Sequence, residues 1–310
     1  MLVRKASKAW LGSRAAPRTP SLPAGKKFAF RETMHLIGIM AGRRAQRHRE
    51  EETMPSLHDE SKIVEITSGN IAKHPQAICF INPKHELYDR KLGWLKEQFA
   101  RGLKIKLLYP AGQKRPVGFI EYVPGEHCWR AVSAAGYMFI HCLWTNGKKH
   151  QHQGLGTRLI EEVEKDARDM AGVCVLASDG SFMAGKDIFI RHGYSQVVES
   201  GKEQLLVKQF REGPLPDVND WQGELEKYQG LWIVYSRQCP WVARFMEEVK
   251  PILAVKKLEP TIVELKTPRE AQAAPSLYGV FNLIYNGKLL ADRYISTTRF
   301  RNILRKELGL

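Results

Sequence analysis

The sequence predicts an α/β (α+β) chain: a basic N-terminal tail, a first folded unit built on a mixed sheet with flanking helices, and a smaller second α/β unit. Three observations predict it. Short strand-like runs are interleaved with segments of helical period over most of the chain. A glycine-rich run, Gln151-His152-Gln153-Gly154-Leu155-Gly156, sits between an apolar strand and an amphipathic helix. A proline-rich break, Gly213-Pro214-Leu215-Pro216-Asp217, separates two such series.

The chain has 310 residues, enough for two domains, and its 43% hydrophobic and 26% charged content is ordinary for a globular protein. A net charge of +15 would suit a nucleic-acid binder. Twelve of the basic residues, however, lie between Arg4 and Arg49, where only Glu32 opposes them. The body is therefore mildly basic, and nucleic acid is not an expected partner. Residues 1–55, with Pro17, Pro20 and Pro23 among small residues and arginines, are expected to be disordered. Arginine-rich, acid-poor composition is that of an organelle transit segment; an unstructured extension, or translation starting at Met54, is the plainer reading. His35 to Met40 is apolar but too short to span a membrane. The cysteines, Cys79, Cys128, Cys142, Cys174 and Cys239, are odd in number and widely spaced, with no metal-ligand cluster. A soluble cytoplasmic protein without metal or membrane partner is expected.

Residues 60–212 are read as the first domain. Lys62 to Thr67 alternates as a strand. His74 to Arg101 has helical character, broken early by Pro83, and Leu87, Lys91, Trp94, Leu95 and Gln98 share one face. Leu103 to Tyr109 and Val117 to Val123 are strands joined by Pro110-Ala111-Gly112-Gln113. Trp129 to Val132 and Gly136 to Trp144 continue the sheet. Thr157 to Ala167 is a helix, Val173 to Ala177 a buried strand, Lys186 to His192 a helix ending at Gly193, and Gln204 to Phe210 a strand. Residues 213–229 are read as a linker and 230–310 as the second domain. There Leu231 to Tyr235 is a strand, Pro240 to Val255 a helix and Thr261 to Leu265 a strand. Val280 to Tyr285 and Leu289 to Ile295 form a hairpin about Asn286-Gly287. Thr297 to Leu308 closes the chain as an amphipathic helix.

Strand, glycine turn and helix is the context that makes a glycine run a phosphate site, because backbone N–H groups and the positive helix end converge there. No P-loop lysine follows Gly156, and the three-glycine dinucleotide fingerprint is absent. The run fits Q/R-x-x-G-x-G/A, the acetyl-CoA pyrophosphate motif of the GNAT acyltransferases. With Trp94-Leu95-Lys96-Glu97, Gly102-Leu103-Lys104-Ile105-Lys106, Gly118 to Glu126, Trp129-Arg130-Ala131-Val132 and Ser178-Asp179-Gly180, the chain resembles GNAT proteins of the YoaP type. These carry a small C-terminal YoaP-like domain, and here the second unit has a thioredoxin-like element order.

The resemblance implies a splayed sheet and acetyl-CoA as acyl donor. Gln151, His152, Gln153, Gly154, Leu155 and Gly156, with Thr157 and Arg158 opening the helix, would hold the diphosphate. Backbone groups of Cys142, Leu143, Trp144 and Thr145 would pair with the pantetheine arm. Acyl transfer to an amine also needs a base. His141, on the strand leading to the motif, and Glu121 are the candidates; each also reads as a satisfied or salt-bridged sheet residue. The family's usual acid is a tyrosine four residues before a Gly-Phe or Gly-Tyr pair. Ahead of Gly193-Tyr194 that position holds Phe189, which has no proton to give.

In the second unit Cys239 stands at a strand-to-helix junction, where unpaired N–H groups would lower its pKa and favour the thiolate. Val242 replaces a resolving cysteine, so two-cysteine exchange is excluded. Two functions remain open: an N-acyltransferase acting on a small-molecule or peptide amine, and a non-catalytic acyl-CoA-binding or single-cysteine thiol-binding protein. A homodimer interface is a third role for the C-terminal unit.

Overall fold

The computed structural model describes residues 61–145, 153–178 and 184–310. Strand β1 (Lys62–Ile66) is followed by two 3-10 turns and helix α1 (Leu87–Phe99). Then come β2 (Lys104–Tyr109), β3 (Gly118–Pro124), the two-residue β4 (Val132–Ser133), β5 (Tyr137–Thr145), α2 (Leu155–Asp166), β6 (Gly172–Ser178), α3 (Lys186–Arg191), β7 (Ser195–Ser200) and β8 (Glu203–Gln209). The second series is β9 (Asp217–Val218), β10 (Leu231–Ser236), α4 (Pro240–Val255), β11 (Thr261–Leu265), α5 (Pro268–Gln272), β12 (Phe281–Tyr285), β13 (Lys288–Ala291) and α6 (Thr297–Leu308). No helix among the described residues is long and apolar enough to cross a membrane.

The first sheet has the order β1-β2-β3-β5-β6-β8-β7, with β5 and β6 its parallel pair. Alternation along each strand divides the core in two. Phe119, Phe139, Cys174 and Leu205 face one side, and Ile120, Ile140, Val175 and Leu206 the other, under α2 and α3. The second sheet, β11-β10-β12-β13, has β10 parallel to β11 and antiparallel to β12. Its hairpin turns through Asn286 (φ 47°) and Gly287 (φ 75°), the two left-handed residues that a primed turn demands.

The two series pack as one body. Val234, Leu265, Leu277, Tyr278 and Val280 of the second complete the apolar core on the first sheet's α1 face. Helix α4 lies against α1, and Arg90 pairs with Glu247 across them at 3.1 Å.

Several elements differ from the sequence reading. The helix expected from His74 starts only at Leu87, because Pro75 opens a 3-10 turn and Cys79 and Phe80 turn back with positive φ. Trp129 to Val132 does not extend the main sheet. Its end, β4, pairs instead with β9, so the segment read as a linker supplies a strand to the first domain. Strand β7 was not expected; Ser-Gln-Val-Val-Glu-Ser is a half-exposed edge with a bulge, and its alternation is correspondingly weak. The last hairpin strand stops at Ala291 rather than Ile295.

Candidate active site

The parallel pair β5 and β6 is hydrogen-bonded only from Tyr137–Ile140 to Gly172–Val175. Beyond that point β5 runs on to Thr145 and β6 to Ser178 without a ladder between them. Strand β3 still pairs with β5 on its other side as far as Thr145. Cys142 to Thr145 therefore present an edge towards β6 that has no strand partner among the described residues. The pairing of β3 with β5 slips from Glu121↔Cys142 to Tyr122↔Ile140, leaving His141 as the extra residue of a β-bulge where the strands part. The cleft between them is lined by His141, Cys142, Leu143, Leu176 and Phe189.

At the mouth of this gap Gly154 caps α2 with φ 73°, a left-handed conformation that glycine adopts without strain. The unpaired N–H groups of the first turn follow directly. Gly156 sits where a Cβ would fall 2.7 Å from the Ile188 side chain, so α2 approaches α3 closely at this residue. Leu155 anchors the turn in the core, and the Arg158 guanidinium bonds the Ser61 hydroxyl. Gln151 and His152 lie outside the described residues, as do Lys148 to His150, Asp179-Gly180 and the tail.

Beneath the bulge lies a buried polar cluster drawn from both series. The Lys91 ammonium meets Glu121 Oε2 at 2.9 Å and rests 3.9 Å from the centre of the Trp94 ring. The other carboxylate oxygen accepts from Gln238 Nε2 at 3.1 Å and lies 3.3 Å from His141 Nδ1. The Trp129 backbone N–H donates to His141 Nε2 at 2.9 Å, which puts the proton of the neutral ring on Nδ1, towards Glu121. Arg130 donates to the carbonyls of Trp129 and His141 and to the Gln238 side-chain oxygen, and stacks on Tyr278 at 4.4 Å. Charges this deep persist because Lys91 and Glu121 are paired and Arg130 is hydrogen-bonded to two carbonyls and an amide oxygen.

The electrostatics follow from that packing. Burial pulls the His141 imidazole down to about 4, with Arg130 and Lys91 pushing the same way against Glu121. Burial would raise the Glu121 carboxyl, but Lys91, His141 and Gln238 outweigh it and hold it well below the usual carboxylate range. The sequence treats His141 and Glu121 as rival bases; the structure brings them into contact. Both are turned inwards, and the accepting nitrogen of His141 is occupied. Lys91, Arg130 and Gln238 were missed. A signal for Lys91 was present, since a lysine stood among Leu87, Trp94 and Leu95 on the apolar face of α1.

Cys239 corrects an expectation. It is the N-cap residue of α4, and the N–H groups of Trp241 and Val242 do pull its pKa down. Burial is the larger effect and raises the thiol above its ordinary value. The helix-end argument has the right sign but loses to desolvation, so Cys239 is a thiol at neutral pH. Burial likewise pushes Cys142 up to about 12. Phe189, which has no proton to give, lines the cleft. Tyr194 stacks edge-on against it at 5.4 Å within the core under α2, away from the open edge. Trp129 is buried, whereas Trp144 is 48% exposed on the open strand. No group of His, Cys, Asp or Glu among the described residues is arranged to hold a metal.

Residues 75–181 match the acetyltransferase (GNAT) family. The chain is 25% identical to the uncharacterized N-acetyltransferase YoaP of Bacillus subtilis (strain 168) over 252 residues, 78% of this chain and 97% of that protein. Among solved structures it is similar to the PaiA N-acetyltransferase of Thermoplasma acidophilum in complex with coenzyme A, at 12% identity and a TM-score of 0.35, covering 48% of this chain and 98% of that one. It is also similar to YncA of Salmonella typhimurium with acetyl-CoA, at 15% identity and a TM-score of 0.36, covering 51% and 98%.

Proposed function

We propose that this acyltransferase, whose residues 75–181 match the acetyltransferase (GNAT) family, moves the acetyl group of acetyl-CoA to an amine. The observation that carries this reading is the parting of β5 and β6 directly beside a glycine-capped helix. A pantetheine arm pairs with the open backbone edge of Cys142, Leu143, Trp144 and Thr145. The diphosphate sits on the turn from Gln151 to Gly156 and the first N–H groups of α2, with Thr157 and Arg158 beside it.

The chain's own groups define how the transfer runs. The amine lone pair attacks the thioester carbonyl, the N–C bond forms and the C–S bond breaks. The proton lost by nitrogen ends on the departing sulfur. With Phe189 in the cleft the thiolate leaves without a side-chain acid. His141 is neutral at pH 7 but too weak a base, and too fully bonded, to drive the deprotonation. In this reading Glu121 and His141 are positioning residues that hold the β5 bulge, and the acceptor reacts as its free amine. Cys239 is a part-buried thiol packed against both cores, and its raised pKa disfavours the thiol-exchange alternative. The order of β10 to β13 supports a thioredoxin-like second unit that has kept the scaffold without the redox pair.

Calorimetric titration with acetyl-CoA tests the donor. Binding by the wild type and its loss in Gly154→Glu and Gly156→Glu, with the circular dichroism spectrum unchanged, is the expected result. Unchanged affinity in folded variants would place the donor elsewhere.

A further inference from the structure

A cavity of about 700 Å³ lies where the two series meet, between the β7–β8 turn and the segment from Leu289 to Arg299. Its size is that of a small-molecule site, and a junction of two units is a common place for one. It belongs to neither the cleft nor the buried polar cluster, yet it stands next to both. Ser178 pairs with Glu203, and Leu176 with Leu205, so Glu203 shares a face of the sheet with the cleft residue Leu176. Two residues along a strand correspond to about 7 Å. From the other side, Arg293 lies 5.4 Å from the Tyr278 ring that Arg130 covers at 4.4 Å.

The lining is bipolar. Glu203, 11% exposed at its side chain, and Asp292 both pair with the single guanidinium of Arg293. That inner group carries one negative charge more than it carries positive. Lys202 and Arg299 are exposed at the rim, and α6 begins there with its Ser296 cap. The rim is therefore positive, reinforced by the helix N-terminus.

We propose that this cavity is the acceptor site and that the acceptor is a small amine that also bears a carboxylate, an amino acid. Its amino end docks as the ammonium against Glu203 and Asp292, and its carboxylate against Arg299 and Lys202. The amino end then gives one proton to solvent, moves to the adjacent cleft and attacks the thioester as the free amine; its second lost proton ends on the departing sulfur, giving the N-acetyl amino acid and CoA thiol. This rests on the acetyl-CoA reading above.

The test measures CoA release by the full chain with amino acids, their carboxamides and the corresponding decarboxylated amines. A charged hydrogen-bond partner is worth enough to favour the acids at least about tenfold in kcat/KM. In Arg299→Glu, a change at an exposed side chain, that preference should fall towards unity while acetyl-CoA affinity holds. Glu203→Gln should raise the acceptor KM. Amides or plain amines used as well as the acids, a preference that survives Arg299→Glu, or an acceptor KM unchanged in Glu203→Gln would overturn the assignment while leaving the donor intact. Absence of acetyl-CoA binding by the wild type would instead sink the donor reading, and this one with it.

Discussion

Lys91 Nζ and Glu121 Oε2 lie 2.9 Å apart with 1% and 3% of their side chains exposed, so an ion pair sits in the dry centre of the molecule. It joins α1 to β3 directly under the bulge at His141. Removing one partner strands the other charge, which costs roughly 3–5 kcal/mol. Lys91→Met or Glu121→Leu alone should therefore lower the urea midpoint sharply. The double variant should recover much of the loss. A double variant no better than the worse single one would mean that the pair is not an isolated charge couple.

The His141 ring gives the cluster a pH signature. Its folded value of about 4 lies below the 6.5 of an unperturbed histidine. The stability this contributes is fully present above pH 6.5. It is lost as pH falls from 6.5 towards 4, because the unfolded chain binds the proton first. The size is on the order of 3 kcal/mol at the acid end. The Glu121 carboxyl adds loss in the same direction at lower pH. Denaturant melts between pH 7 and 4 should show the decline, and His141→Gln should flatten its upper part.

Gln238 is the second series' contribution to this cluster. It donates to Glu121 Oε1 and accepts from Arg130, so Gln238→Ala leaves two buried charged groups short of a partner. The expected cost is about 1–3 kcal/mol. If Gln238 positions the bulge, kcat should fall while acetyl-CoA affinity stays, and Gln238→Asn should rescue neither fully, its reach being one methylene shorter. A stability loss with kcat unchanged would confine Gln238 to a structural role.

What was legible in the sequence divides along physical lines. Strands and helices that bury a regular face declared themselves by period, and Pro240–Val255 and Thr297–Leu308 match the expected bounds. The glycine turn before α2 was legible because Gly154 answers a local backbone need. The β4–β9 bridge was not, since two residue pairs, Val132 with Val218 and Ser133 with Asp217, are too few and too far apart in sequence to carry a periodicity. The Lys91–Glu121 pair was hidden for a similar reason. A lysine on an apolar helix face identifies its partner only once the sheet is folded beneath it. Cys239 failed in sign because the helix end is a local effect and burial a tertiary one.

Cysteine reactivity checks that correction. Cys239, Cys142 and Cys79 are all raised by burial. Iodoacetamide at pH 7 should modify each more slowly than a free cysteine, read by site-resolved mass spectrometry. Fast, selective labelling of Cys239 would restore the thiolate and with it the thiol-binding alternative. Cys239→Ser should leave acetyl-CoA titration unchanged.

The pH dependence of turnover separates a general base from a preorganised cleft. A histidine base of ordinary pKa would make kcat/KM rise to a plateau above about 6.5. Here the imidazole is held at about 4 and its acceptor nitrogen bonds the Trp129 N–H, so His141 does not change protonation between pH 6 and 8. The reacting species is then the free amine, whose fraction climbs tenfold per pH unit below the amine's own pKa. The expected profile of log(kcat/KM) is a line of unit slope against pH, bending only at the acceptor's pKa and shifting when acceptors of different basicity are compared. An inflection near 6.5 that stays fixed across acceptors and disappears in His141→Gln would overturn this and return His141 to the role of base.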